Sequence, residues 1–221
     1  MKKYTIILIS FLFLSMQSVK AEVGFGITGA AHFFDASGTE TTRSSGEKNN
    51  GSHSEVVLVP ELFLEAIMDS GAAVGLSYIP TRELGNKSRS DTSTSGDGQD
   101  TGTYTAKAEL DNVIQLYTDI PTSLSLRGYD VYAKLGIQHA TIKTLESLNS
   151  GSTYPDRDVL GYTIGFGTKG DLNFGNNLYY KAEATYTDFE DYSADSNSSP
   201  ANKVEADLED IAVKFSIGYK F

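Results

Sequence analysis

Apolar and polar residues alternate one by one through most of the chain, as they do in β-strands that have one apolar face. In the last stretch, every second residue from Ile211 to Phe221 is apolar, and the residues between them are charged or small. No stretch shows sustained helical periodicity, so the pattern predicts an all-β protein. The eight predicted strands cover residues 22–34, 55–68, 72–81, 104–119, 128–143, 159–169, 178–188 and 205–221.

The connections between the predicted strands alternate in length. The long ones are rich in Ser, Thr, Gly, Asn and Asp, whereas the short ones carry turn-forming residues. This alternation predicts an up-and-down sheet with tight turns at one end and long loops at the other. The predicted long connections are residues 35–54, 82–103, 144–158 and 189–204, and the short ones are residues 69–71, 120–127 and 170–177.

The chain begins with the features of a secretory signal peptide. Lys2 and Lys3 precede an apolar run from Thr5 to Met16, and Ala21 supplies a small residue before the predicted cut. A helix that spans a bilayer needs about 20 apolar residues, so this run is too short for one. We therefore expect residues 1–21 to be a cleaved signal peptide and residues 22–221 to form one exported domain.

The charge and the cysteine content of the chain exclude or disfavour several classes of function. The formal net charge of −11 disfavours nucleic acid as a partner, because an acidic chain repels phosphates. The chain contains no Cys, which excludes disulfides, thiol catalysis and thiolate metal sites. No residue pattern indicates a cofactor.

The alternation fits either a soluble barrel around a ligand or a membrane barrel that turns its apolar face to lipid. Three observations favour the membrane barrel: the polar face carries both signs of charge, the chain ends on its apolar face at Phe221, and aromatic residues lie near the strand ends. The predicted aromatic groups are Tyr129, Tyr180, Tyr219 and Phe221 at the turn end, and Tyr78, Tyr104, Tyr162 and Tyr186 at the loop end. We expect an interior charge network of Glu61, Glu65, Lys107, Glu109, Asp111, Lys134, Lys181, Glu183, Asp210 and Lys214.

The mature chain resembles the small eight-stranded outer-membrane barrels: the opacity proteins, the OmpX and NspA group, the surface antigens and the transmembrane domain of OmpA. The strand around residues 179–189 carries part of this resemblance. Its most specific part is the ending Phe215-x-Ile217-x-Tyr219-x-Phe221, which is similar to the C-terminal signal read by the outer-membrane insertion machinery.

The resemblance implies an eight-stranded antiparallel up-and-down transmembrane barrel in the outer membrane of a Gram-negative bacterium, with short periplasmic turns and long extracellular loops. It implies outer-membrane lipid and lipopolysaccharide as surroundings. The insertion machinery and periplasmic chaperones are its implied partners during biogenesis. We expect a monomer.

The three histidines give little support to catalysis. The sequence His139-Ala140-Thr141 comes nearest to the His-x-Ser pair of lipid A deacylases, but it has Thr in place of Ser, and its parity puts His139 on the lipid face. His32 faces inward and is expected to be a hydrogen-bonded filler, while His53 is expected in a solvated loop. Residues 97–100 and 156–158 offer oxygen ligands for Ca²⁺ without a complete binding-loop signature.

These observations predict a non-enzymatic outer-membrane barrel that contributes to envelope integrity or surface interaction through its exposed loops. The interior of an eight-stranded barrel is just wide enough for side chains to fill it. One alternative is a narrow porin-like channel for small solutes, and another is a lipid A-modifying hydrolase.

Overall fold

The computed structural model describes residues 21–42, 46–91, 102–126, 129–147, 153–172, 177–197 and 201–221. Residues 1–20 of the predicted signal peptide lie outside this part. No helix among the described residues is long and apolar enough to cross a membrane. The described strands are β1 (Ala21–Thr42), β2 (Glu47–Met68), β3 (Ala73–Ile79), β4 (Arg82–Asp91), β5 (Gly102–Leu126), β6 (Tyr129–Ser147), β7 (Arg157–Asp171), β8 (Leu178–Phe189), β9 (Tyr192–Asp195) and β10 (Lys203–Lys220).

These strands close into an antiparallel barrel. Each strand pairs with the next one around the wall, and β1 also pairs with β10 over a ladder that runs from Gly24–Lys220 to Thr41–Lys203. The strands β3 and β4 both pair with β5, and β8 and β9 both pair with β10, so each of these couples occupies one place in the wall. The wall therefore has eight places, which confirms the predicted fold class.

The strands extend far into the segments predicted as long loops. The ladder between β1 and β2 continues to the pair Thr42–Glu47, so most of the predicted loop 35–54 is paired strand. In the same way, β4 and β5 enter the predicted loop 82–103, and β6 extends into 144–158. Apolar alternation identifies only the part of a strand that needs an apolar face, whereas the backbone ladder continues among polar residues.

The turn predicted within residues 120–127 is also displaced. The strand β5 continues to Leu126 and pairs there with Tyr129, so the connection is shorter than predicted. The register shifts between Pro121 and Ser125, as at a β-bulge, which is a position that tolerates proline. The hydroxyl of Thr122 donates to the carbonyl of Val131 at 2.6 Å and so keeps a cross-strand bond at the bulge.

The two faces of the wall differ as the alternation predicted. A band of apolar side chains covers the outside, where Phe166 is 64% and Ile217 is 42% exposed. Aromatic residues lie near both edges of this apolar band, with Tyr78 and Tyr162 exposed towards the loop end and Tyr129 exposed at the turn end. The side chain of Tyr104 lies outside the described residues.

The inside of the barrel changes character from one end to the other. Charged residues fill the turn end and the middle, whereas the loop end holds a buried apolar cluster, which we call the apolar layer. These side chains come from inward positions of nearly every strand. The apolar layer consists of Phe34, Val59, Ile79, Leu84, Leu110, Val113, Ala140, Ile142, Tyr154, Val159, Phe189, Tyr192, Ala194 and Leu208.

Candidate functional site

The buried charges at the turn end form the turn-side network, which consists of Glu65, Asp119, Lys134, Lys181 and Glu183. The Nζ atom of Lys181 lies 2.9 Å from a Glu65 oxygen and 2.8 Å from an Asp119 oxygen. The Nζ atom of Lys134 lies 2.9 Å from oxygens of both Asp119 and Glu183. Since all these side chains are almost fully buried, each charge depends on its neighbours for compensation.

Three tyrosines complete the hydrogen bonding of this network. The hydroxyls of Tyr117 and Tyr179 donate to the two oxygens of Glu65, at 2.6 Å and 2.8 Å. The hydroxyl of Tyr132 donates to Glu183 at 2.7 Å. These long inward side chains fill the lumen between the ion pairs, so the turn-side network is a packed structure.

A second group in the middle of the barrel, the middle network, consists of His32, Glu61, Asp210 and Lys214. The Nζ atom of Lys214 lies 2.8 Å from Glu61, and the two ring nitrogens of His32 contact Asp210 at 2.7 Å and Glu61 at 3.0 Å. Glu61 also accepts hydrogen bonds from Lys214, so the ring of His32 links Asp210 to the pair formed by Glu61 and Lys214.

Uncharged polar residues occupy the same level on the opposite wall. The side-chain amide of Gln138 donates to Thr163 at 3.1 Å and to Thr187 at 3.2 Å, and Gln115 donates to Thr163 at 3.0 Å.

A cavity of about 10 Å³ lies between the turn-side and middle networks and is lined by residues of both. Its volume is close to the space that one water molecule needs.

The structure places most of the predicted interior charges in these two networks. Together the networks hold seven of them: Glu61, Glu65, Lys134, Lys181, Glu183, Asp210 and Lys214. Asp119 also belongs to the turn-side network. It was not predicted as an interior charge, because it lies next to the predicted turn. Its inward parity, shared with Tyr117, was the available sequence signal.

The predicted interior position is wrong for three charged residues of β5, which face outward: Lys107, Glu109 and Asp111. The register between β5 and β6 shifts after Asp111, and Asn112 has a left-handed backbone with φ of 53°. This bulge reverses the parity of β5, so Leu110 points into the apolar layer and its neighbours along the strand point outward.

The three displaced charges join an ion-paired patch on the outside, beyond the apolar band. Lys107 lies 2.9 Å from Glu83 and 2.8 Å from Glu109, while Asp111 contacts Lys143. Lys107 and Glu109 are only partly buried, so their pairing contributes less than the pairing inside the barrel, whereas Asp111 is 7% exposed.

The other histidines are both exposed but lie on opposite faces of the wall. His139 is exposed on the outer face of β6, as its parity predicted. His53 lies in β2 and not in a loop, since the ladder with β1 extends past it. His53 shares the inward parity of Val59 in β2 and pairs with Ala36, which packs against the apolar layer. Its ring lies over Gly85 of β4, where an added Cβ would meet the ring at 2.8 Å.

The two candidate calcium segments give no assembled site. Residues 97–100 lie outside the described residues. Asp158 accepts a hydrogen bond from Thr141 at 2.8 Å, and Asp156 accepts one from the Thr144 backbone at 3.4 Å. Within the described part of the chain, no group of three or more His, Asp or Glu residues is arranged to hold a metal ion.

The C-terminal residues of the predicted assembly signal lie on the outer wall of β10, with Phe221 directly after it. Phe215, Ile217 and Tyr219 alternate with inward residues, and Phe221 is 71% exposed. The ring of Phe221 stacks on Phe25 at 5.6 Å. Recognition of this stretch by the insertion machinery stays a prediction.

Comparison with solved structures agrees with the barrel fold. The outer-membrane protein AlkL matches 92% of this chain and 91% of its own chain with 12% identity and a TM-score of 0.52. Neisserial surface protein A matches 89% and 97% at 12% identity and a TM-score of 0.41. Ail, the attachment invasion locus protein of Yersinia pestis, matches 89% and 99% at 14% identity and a TM-score of 0.38.

Of these three matches, the one to AlkL has a TM-score above 0.5 and supports the fold. This chain has the fold of the small outer-membrane β-barrels, as the sequence resemblance predicted. No protein-family model and no curated protein matches the sequence.

Proposed function

We propose that this protein is a non-enzymatic barrel of a Gram-negative outer membrane, which contributes to envelope integrity or surface interaction through its loop end. The observation that carries the proposal is the filled interior. Charged side chains, tyrosines and an apolar layer occupy successive levels of the lumen, so the buried residues serve the stability of the wall. The outward apolar band supports a lipid environment on all sides of the barrel.

The layered interior favours this function over a narrow channel. A channel needs a continuous polar path, but the apolar layer lies across the loop end above the buried charges. We expect no stepwise conductance when the refolded protein is added to a planar bilayer. Regular single-channel steps that persist in independent preparations would contradict the proposal and favour a porin-like function.

A non-enzymatic barrel would not hydrolyse lipid A, and the residues nearest to a deacylase pattern agree with this. His139, the histidine nearest to the deacylase pattern, is followed by Ala140 and Thr141, and Thr141 donates its hydroxyl hydrogen bond to Asp158. Mass spectra of lipid A from cells with and without the protein should therefore be the same. A loss of acyl chains that depends on His139 would overturn the non-enzymatic assignment.

Membrane assembly is tested at the C-terminus. We infer that the insertion machinery reads the outward residues of β10 and that periplasmic chaperones deliver the chain; outer-membrane lipid and lipopolysaccharide then surround a monomeric barrel. Phe221→Asp should reduce the folded protein in outer-membrane fractions while export continues, whereas Lys220→Gln, one residue away, should leave assembly intact. Equal folded amounts for Phe221→Asp and wild type would contradict this assignment.

A further inference from the structure

One buried cation, Arg82, belongs to neither network. Arg82 is the first residue of β4 and only 3% exposed, yet none of its guanidinium nitrogens has a hydrogen-bond partner among the described residues. Its close contact is the face of Phe34, whose ring centroid lies 4.9 Å from the guanidinium carbon. A buried guanidinium has five N–H groups to satisfy, and leaving them unpaired is costly.

The nearby acids already contact other groups, although the Oδ1 atom of Asp210 is buried without a hydrogen-bond partner. Asp210 contacts His32, and Glu61 contacts both His32 and Lys214. Their charges lower the electrostatic cost of burying Arg82 without supplying a contact partner. Arg82 therefore presents an unused bidentate donor, which is the group best suited to a carboxylate or phosphate.

The wall beside Arg82 has a seam. The ladder between β2 and β3 ends at the pair Leu62–Tyr78, and in the described residues no ladder joins β2 to β4 beyond it. Further towards the loop end, the ring of His53 lies over Gly85 and brings the two strands together again. We call the unpaired stretch between these two points, residues 54–61 facing residues 80–84, the seam.

Both sides of the seam are apolar. On the outside Val56 is 59% and Leu58 is 79% exposed, at the upper edge of the apolar band. On the inside Val59 and Leu84 belong to the apolar layer. A molecule that entered through the seam would thus meet apolar surface along its length and one guanidinium at its buried end.

We propose that the seam and Arg82 form a binding site for a single-chain anionic amphiphile, with its carboxylate or phosphate on the Arg82 guanidinium and its alkyl chain against Val59 and Leu84. The side chains now closing the seam move aside without breaking a backbone ladder, because none crosses the wall there. This site is independent of the proposed function, since a structural barrel can carry it or lack it.

The test uses the whole mature barrel in nanodiscs of zwitterionic phosphatidylcholine. Binding of radiolabelled laurate, dodecyl phosphate and dodecanol is measured against empty nanodiscs. We expect saturation at one laurate per barrel and at least tenfold weaker binding of dodecanol, which has the same chain without the charge. A dodecyl phosphate affinity above that of laurate assigns the site to phosphorylated lipids, and the reverse order assigns it to free fatty acids.

Arg82→Gln should weaken laurate binding at least tenfold, whereas Lys143→Gln, which removes a cation from the outer patch, should leave it unchanged. Gel mobility with and without heating shows whether each variant is folded. Since Arg82→Gln can fail to fold, a photoreactive diazirine derivative of laurate is also applied to the wild-type barrel. Its crosslinks should map to residues 54–61 and 82–84.

Three results would overturn the site: equal binding of laurate and dodecanol, unchanged binding by folded Arg82→Gln, or crosslinks spread over the apolar band. Any of them would mean that the amphiphile only partitions into the bilayer and that water meets the needs of the guanidinium.

Discussion

The two ends of the barrel interior are filled by different kinds of side chain, charged at the turn end and mainly apolar at the loop end. At the turn end, Lys181 and Lys134 hold three carboxylates in a buried network. At the loop end, residues such as Leu110 and Val113 pack in an apolar cluster. Both ends are filled, but a charged network fails when one member is lost, whereas an apolar cluster loses only the contacts of the side chain removed.

The strongest test of this difference is Lys181→Met, which keeps the length of the side chain and removes its charge. Glu65 and Asp119 would then lie buried without their shared cation, which typically costs about 3–5 kcal/mol. The urea midpoint of the refolded barrel in detergent should fall accordingly. Lys143→Met on the outer patch is the matched control and should cost at most about 1 kcal/mol. Equal losses for the two variants would show that the lumen is hydrated.

The apolar end should respond more mildly to a larger change in shape. Leu110→Ala removes a fully buried side chain and should cost about 3 kcal/mol from lost burial and the cavity left behind. It should not open a conductance, because the turn-side network still fills the lumen below it. The urea midpoint gives the first quantity and planar-bilayer recording the second. Ile114→Ala, on the outer face of the same strand, is the control; a conductance in Leu110→Ala alone would make the apolar layer the only barrier.

The sequence predicted the number of places in the barrel wall, the inward or outward face of most side chains, and which end carries the tight turns. It could do so because alternation is a local property that every strand must show where it crosses the apolar band. It did not predict how far the strands continue, since the segments beyond the apolar band need only backbone pairing. The parity of Lys107 and the burial of Arg82 were also missed. The parity of Lys107 depends on the backbone angle of one residue, Asn112. The burial of Arg82 depends on where the backbone pairing of β2 ends beside β4.

The smallest expected effect concerns the bulge that separates the two kinds of packing on β5. Asn112 adopts a left-handed conformation, which β-branched residues avoid, so Asn112→Val should cost about 1–2 kcal/mol while Asn112→Gly stays close to wild type.

Labelling checks the parity that the bulge imposes. In the wild-type background, Lys107→Cys should react with a membrane-impermeant maleimide on the folded barrel, whereas Leu110→Cys should stay protected. Both sites are compared with Phe34→Cys, a second buried position in the apolar layer. If Leu110→Cys reacts and Lys107→Cys does not, β5 keeps a single parity along its length, and the charges at 107, 109 and 111 face the lumen as the uninterrupted alternation predicts.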